Sequence, residues 1–238
     1  NLGLFKARLA GAKEATGDFI AFLDSDDYLT VDFYRTMMYN IYKNKSDMVV
    51  GNTILEYDDG KRIVFNISDM KFDILEGENI LNSYFGQRGL NFSWHTVWNK
   101  IYTMDLWKKA VSHYSKIDTH LIMTEDFSFS TVLFYYANKI TRVENDGLYY
   151  CKHESSSSTS LSGLTIKKCL KNLGDLITSF NFVEEFMKTV NIYDIYKDDF
   201  CAWKKLYRSQ QESYLKIADF NKEEQKQAMD KIEQFYSD

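Results

Sequence analysis

The sequence predicts an α/β fold with a mixed sheet, followed by a helical appendage. Three observations predict it. Phe19 to Leu23 is a short apolar run that ends abruptly in Asp24, Asp26 and Asp27, as a buried strand does when it exits into a ligand-facing loop. Up to about residue 160, strand-like runs alternate with segments of helical periodicity. Beyond a Ser/Thr-rich stretch at 154–163, apolar residues recur only at three and four, the spacing of amphipathic helices.

The elements follow in order. Leu4 to Ala15 has helical spacing, and Gly17-Asp18 stops it before the Phe19–Leu23 strand. Thr30 reads as an N-cap for a helix reaching about Lys43. Asp47 to Tyr57 is strand-like. Asp58-Asp59-Gly60 signals a hairpin, with Arg62 to Ile67 returning. Glu78 to Phe85 reads as helix, Trp98 to Tyr102 as strand and Met104 to Val111 as helix. Thr124 reads as the cap of a helix from Glu125 to Ala137. Ile140 to Glu144 and Leu148 to Lys152 read as strands, and residues 154–163 as a loop. Three helices are then expected, at about 166–190, 192–217 and 222–236. The division is residues 1–160 as an α/β catalytic domain and 161–238 as a C-terminal helical region.

Composition narrows the function. The chain has 238 residues and a net charge of −5, with 29 basic and 34 acidic residues. The two signs are interspersed, which argues against a nucleic-acid partner. Cys151, Cys169 and Cys201 are far apart and no CxxC occurs, so a reduced, cytoplasmic setting is expected. Apolar runs such as Val132 to Ala137 are far too short to span a bilayer.

The acidic corner at Asp24-Ser25-Asp26-Asp27 is the main chemical signal. On a strand, side chains two apart point the same way, so Asp24 and Asp26 are expected to face one hard divalent cation. An EF-hand loop starting at Asp24 would need glycine and glutamate where Leu29 and Arg35 stand. A phosphotransferase of the haloacid dehalogenase type, with Asp24 as nucleophile on phosphorus, remains an alternative. So do a solvated acidic turn and a non-catalytic, glycan-related interaction module.

The flanks carry a resemblance. Asn1-x-Gly3, Ala7-Arg8, Gly11, Gly17-Asp18-Phe19-Ile20 and Phe22-Leu23-Asp24-Ser25-Asp26-Asp27 closely resemble glycosyltransferase family 2, which has the GT-A fold. Leu9 and Val31 depart from the family's usual Asn and Pro. Trp98-Asn99-Lys100-Ile101-Tyr102, Glu125-Asp126-Phe127 and Leu148-Tyr149-Tyr150-x-x-His153…Ser156 extend the likeness more thinly, over about two-thirds of the chain. The helices after 164 match no named pattern.

The resemblance implies a metal-dependent, inverting glycosyltransferase of surface polysaccharide synthesis. Its donor would be a nucleotide sugar, most often UDP-linked, and its acceptor a glycan or lipid-linked saccharide. It implies Mn²⁺ or Mg²⁺ held by Asp26 first and Asp24 second, with Asp27 weaker and His153 near the metal or diphosphate. Arg8 joins Asp24, Asp26 and Asp27 on the donor side. Asp126 would be the catalytic base, with Glu125 as the fallback. Trp94, His95 and Lys100 are expected around the acceptor. The C-terminal helices could serve a homo-oligomer or peripheral attachment at the cytoplasmic face of a membrane; covering the sheet is the favoured role. Family members begin with further βα units that bind the nucleotide base, on the order of 80 residues. The chain opens instead on Asn1, so a longer functional protein, or a processed one, is expected, with the Phe19 strand left at an exposed edge.

Overall fold

The computed structural model describes residues 3–65, 72–144, 147–152 and 164–235. The serine-rich stretch at 154–163 and the end of the Arg62–Ile67 strand lie outside them.

Helix α1 (Gly3–Glu14) buries Phe5, Arg8 and Ala12. Its first residue is glycine for two reasons. Gly3 has φ +84°, and a Cβ there would sit 2.8 Å from the Leu121 carbonyl oxygen, closer than real contacts allow.

Among the described residues nine strands form two sheets. One takes β1 (Phe19–Ala21), β7 (Lys100–Thr103), β3 (Met48–Val50), β8 (Lys139–Arg142) and β6 (Ile74–Glu76), in that spatial order. β3 and β8 are parallel and the other pairs antiparallel. The second sheet takes β2 (Tyr28–Leu29), β9 (Leu148–Lys152), β4 (Thr53–Tyr57) and β5 (Arg62–Phe65). β2 has only two residues. It is pinned by the cross-strand pair Tyr28 and Tyr149, whose rings stack at 4.6 Å.

The stretch expected as one strand at 47–57 is two strands, one in each sheet. The break falls at Gly51-Asn52. The ring of Phe33, first residue of helix α2 (Phe33–Asn44), fills this junction. A Cβ on Gly51 or on Gly147 would lie 2.4 Å from that ring. The bare backbone of Gly51 donates instead to the Asn99 carbonyl at 2.8 Å.

Two expected caps differ from the structure. Asp32, not Thr30, occupies the N-cap of α2, and its side chain makes no cap bond. The Phe33 amide donates to the Thr30 carbonyl at 3.1 Å instead. Thr124 precedes helix α5 (Glu125–Tyr136) in a left-handed conformation, φ +62°, with no side-chain cap. Its hydroxyl turns to Met123 O at 2.5 Å and Ser179 Oγ at 3.2 Å.

Helix α5 is the hub of the core. Nine of its twelve residues are buried, so it is enclosed on all sides rather than lying on a surface. Helices α3 (Glu78–Gly86) and α4 (Met104–Ala110) flank it. So does the first of the three C-terminal helices, α6 (Ile166–Thr189), α7 (Tyr193–Ile217) and α8 (Lys222–Gln234). Phe180, Val183 and Phe186 of α6 and Phe200 and Trp203 of α7 belong to the same apolar cluster as Phe127, Leu133 and Phe134 of α5. The C-terminal helices therefore complete the core of the α/β part. Among the described residues, no helix is long and apolar enough to cross a membrane.

Candidate active site

The acidic corner does not continue the strand. β1 ends at Ala21, and Asp24 to Asp27 form a turn closed by the Asp27 amide on the Asp24 carbonyl at 3.1 Å. Strand alternation therefore cannot be what relates Asp24 to Asp26. The turn assigns each carboxylate its own environment. Asp26 is exposed. Asp27 is buried, and its Oδ1 accepts from the Cys151 amide at 2.9 Å, tying the turn to β9. Asp24 is part-buried and points to Arg8.

Arg8 is the centre of the arrangement. It reaches from α1 with only 5% of its side chain exposed. Its Nη2 donates to Asp24 Oδ1 at 2.8 Å, and its Nη1 to Asp126 Oδ1 at 2.8 Å and Glu125 Oε1 at 2.5 Å. A planar guanidinium with five donors suits this three-way bridge as an ammonium would not. Burial works against its charge, but Asp126, Glu125 and Asp24 outweigh burial and hold it firmly protonated. Burial pushes the Glu125 carboxyl up, and Asp126 adds to the push while Arg8 opposes it. Burial likewise raises Asp126, which Arg8 pulls back and Asp24 pushes further. Three acids around one guanidinium leave an excess of negative charge. That excess favours a proton or a cation at the site.

Lys100, Trp94 and His95 lie behind this cluster, in the protein interior. Lys100 is fully buried; its Nζ donates to Ser93 O at 2.7 Å, to Asn99 Oδ1 at 2.8 Å and to Thr96 O. Each ammonium proton thus has an acceptor. Burial drags its pKa down to about 7, and Asp126 pulls the other way. The lysine folds the 93–99 loop upon itself, and the Val97 amide of that loop bonds Asp126. Trp94 packs against Tyr84, Phe134 and Phe72. His95 is held neutral by burial, with Lys100 adding to the effect, and its Nε2 meets the Tyr207 hydroxyl at 3.1 Å. None of the three offers an open face to a ligand. His153 lies outside the described residues.

Among the described residues no three His, Cys, Asp or Glu side chains gather as a metal site. Asp26 is exposed and Asp24 part-buried on the same turn, and carboxylate oxygens are the donor type that a hard cation takes. Mg²⁺-type ions are commonly bound by one or two carboxylates plus substrate phosphates, not by an all-protein cage.

The family model for Glycosyl transferase family 2 matches residues 1–112, which contain Arg8 and the whole Asp24–Asp27 turn. Over that segment the chain is similar to glycosyltransferase family 2. The Bacillus subtilis (strain 168) protein named as glycosyltransferase EpsH is 26% identical over 214 residues, 86% of this chain and 59% of EpsH. Glycosyltransferase GlyA of Streptococcus pneumoniae serotype 4 is 28% identical over 112 residues, 46% of this chain and 16% of GlyA. The chain spans about three-fifths of EpsH and a smaller part of GlyA. The crystal structure of S. aureus TarS 1-349 in complex with UDP-GlcNAc covers 98% of this chain and 70% of its own, with TM-score 0.50 and 20% identity. That likeness concerns the fold: a GT-A-type mixed α/β architecture with helices after it.

Glu125 and Asp126 lie beyond the matched segment, and Arg8 joins them to it. Sequence reading missed the supports of this pair. Asp175, on α6, sits in a segment that matches no named motif, and two of its three partners are backbone amides, which leave no trace in the sequence.

Proposed function

We propose that this chain carries the catalytic centre of a metal-dependent, inverting glycosyltransferase. It would move a sugar from a nucleotide-diphosphate donor, UDP-linked, to a hydroxyl of a glycan or lipid-linked acceptor in surface polysaccharide synthesis. One observation carries the reading: Arg8 ties the Asp24 turn to Glu125 and Asp126 at 2.5–2.8 Å. A donor-side acid and a candidate base are thereby fixed in one site. The match of residues 1–112 to the family 2 model supports sugar transfer over the Asp24 phosphotransferase alternative. The UDP-GlcNAc bound in TarS supports a UDP-linked donor.

In this mechanism Asp126 accepts the proton of the acceptor hydroxyl. Its side chain is 14% exposed against 6% for Glu125, so it is the more accessible of the two. Burial raises its proton affinity, which suits a general base. The acceptor oxygen forms the new bond to the anomeric carbon. The bond to the diphosphate oxygen breaks, and its electron pair leaves with the nucleotide. Asp26, with Asp24, would hold Mn²⁺ or Mg²⁺, which supplies positive charge for the leaving diphosphate. Arg8 keeps Asp24 and the acid pair in register throughout.

The test is a thermal-shift and turnover screen of UDP-sugars with and without Mn²⁺ on the full-length protein. A Mn²⁺-dependent shift is expected with at least one donor. Asp126→Asn should lower kcat by about 100-fold or more while the shift persists, and Asp26→Asn should abolish the shift. Absence of both shift and turnover with every donor would sink the reading.

A further inference from the structure

The Glu125–Asp126 pair is approached by a backbone that does not support itself. Thr124 is left-handed and supplies no cap to α5. Residues 121–124 carry no regular structure. The amides of this stretch, outside any helix or strand ladder, need partners from elsewhere in the fold.

Those partners come from α6. Asp175, 7% exposed, accepts from the amides of Ile122 and Met123, both at 3.1 Å to Oδ2. Lys171, one turn earlier, donates to the same oxygen at 2.7 Å. One turn later, fully buried Ser179 takes the Thr124 hydroxyl at 3.2 Å. The i, i+4 spacing of Asp175 and Ser179 puts both on one face of the helix, toward the four residues before Glu125. From the other side, α1 holds the same loop through the Phe5 amide on the Leu121 carbonyl at 3.2 Å. α1 is also the helix that carries Arg8. The acid pair is thus framed by α1 and α6 together.

We propose that α6 is a positioning element for the Glu125–Asp126 pair, with Asp175 fixing the backbone that delivers it. The catalytic part of this statement rests on the glycosyltransferase reading above; the backbone clamp does not. It gives the C-terminal helices a task beyond covering the core.

The experiment compares wild type, Asp175→Ala, Asp175→Asn and Ser179→Ala in the full chain, by amide hydrogen exchange and by steady-state kinetics with the UDP-sugar found in the screen. In Asp175→Ala, exchange at Ile122 and Met123 should rise about tenfold, as expected for a lost bond to a charged group. kcat should fall by a similar factor, with KM for the donor within about twofold. Asp175→Asn keeps an acceptor oxygen of the same shape and should restore both quantities. Unchanged exchange at these two amides overturns the clamp. Raised exchange with unchanged kcat overturns its service to the acid pair. If Asp175→Ala does not fold, Ser179→Ala tests the same face with the same two readouts. If the wild type turns over no donor, the glycosyltransferase reading fails. The positioning claim is then judged on the Glu125 and Asp126 amide chemical shifts, which must move in Asp175→Ala and return in Asp175→Asn.

Discussion

Arg8 meets three carboxylates with one charge, and that imbalance sets the acid–base behaviour of the site. Glu125 is raised by burial first and by Asp126 second, against the pull of Arg8. A carboxyl raised in the folded state binds more protons there than in the unfolded chain. Its contribution to stability is therefore full below the ordinary carboxylate range and is lost as pH rises through the raised value. Glu125→Gln should flatten this decline, as read from urea unfolding midpoints between pH 5 and pH 9; an unchanged slope would show that Glu125 is not its source. Arg8 shows how much of the site the sequence displayed. Its place in the Ala7-Arg8 motif marked it as a donor-side residue. Its bonds to Glu125 and Asp126, more than a hundred positions away, had no local signal at all.

At the scale of elements, the junction of the two sheets was hidden for a similar reason. Met48 to Val50 and Thr53 to Tyr57 have the apolar texture of one strand, and a glycine between them is weak punctuation. What separates them is the Phe33 ring lying against Gly51 and Gly147. Gly51→Ala should destabilise the chain by about 1–3 kcal/mol through overpacking, measured by chemical denaturation. A change near zero would mean that the ring has room to retreat. By contrast, α6, α7 and α8 were legible almost to their ends, because long amphipathic spacing is a strong signal; in the structure a capping box of Asn221 with Glu224 starts α8. The caps at Thr30 and Thr124 were misread. The residue types suited a cap, but Thr30 stands two residues before the N-cap of α2 and Thr124 turns its hydroxyl to Met123 O and Ser179 Oγ. For Thr124 the competing partner is Ser179, 55 positions on.

For the whole molecule, the consequence is that the α/β part and the C-terminal helices share one core. Cutting the chain at residue 163 would strip Phe127 of its α6 and α7 neighbours Phe180 and Trp203. The fragment 1–163 should lose cooperative thermal unfolding; a sharp transition close to that of the full chain would refute this. Sequence alone determined the α/β class, the helical region, the Asp24–Asp27 corner and the likeness of the first half to family 2, because periodicity and contiguous motifs are written along the chain. It also named both halves of the candidate site. Only the tertiary structure decided that Asp24 and Asp26 lie on a turn, that Arg8 joins the two halves, that Trp94, His95 and Lys100 are interior, and that Asp175 anchors the approach to Glu125. Each of those rests on groups far apart in sequence, and ion pairs and side-chain-to-backbone bonds of that kind exist only once the chain has closed on itself.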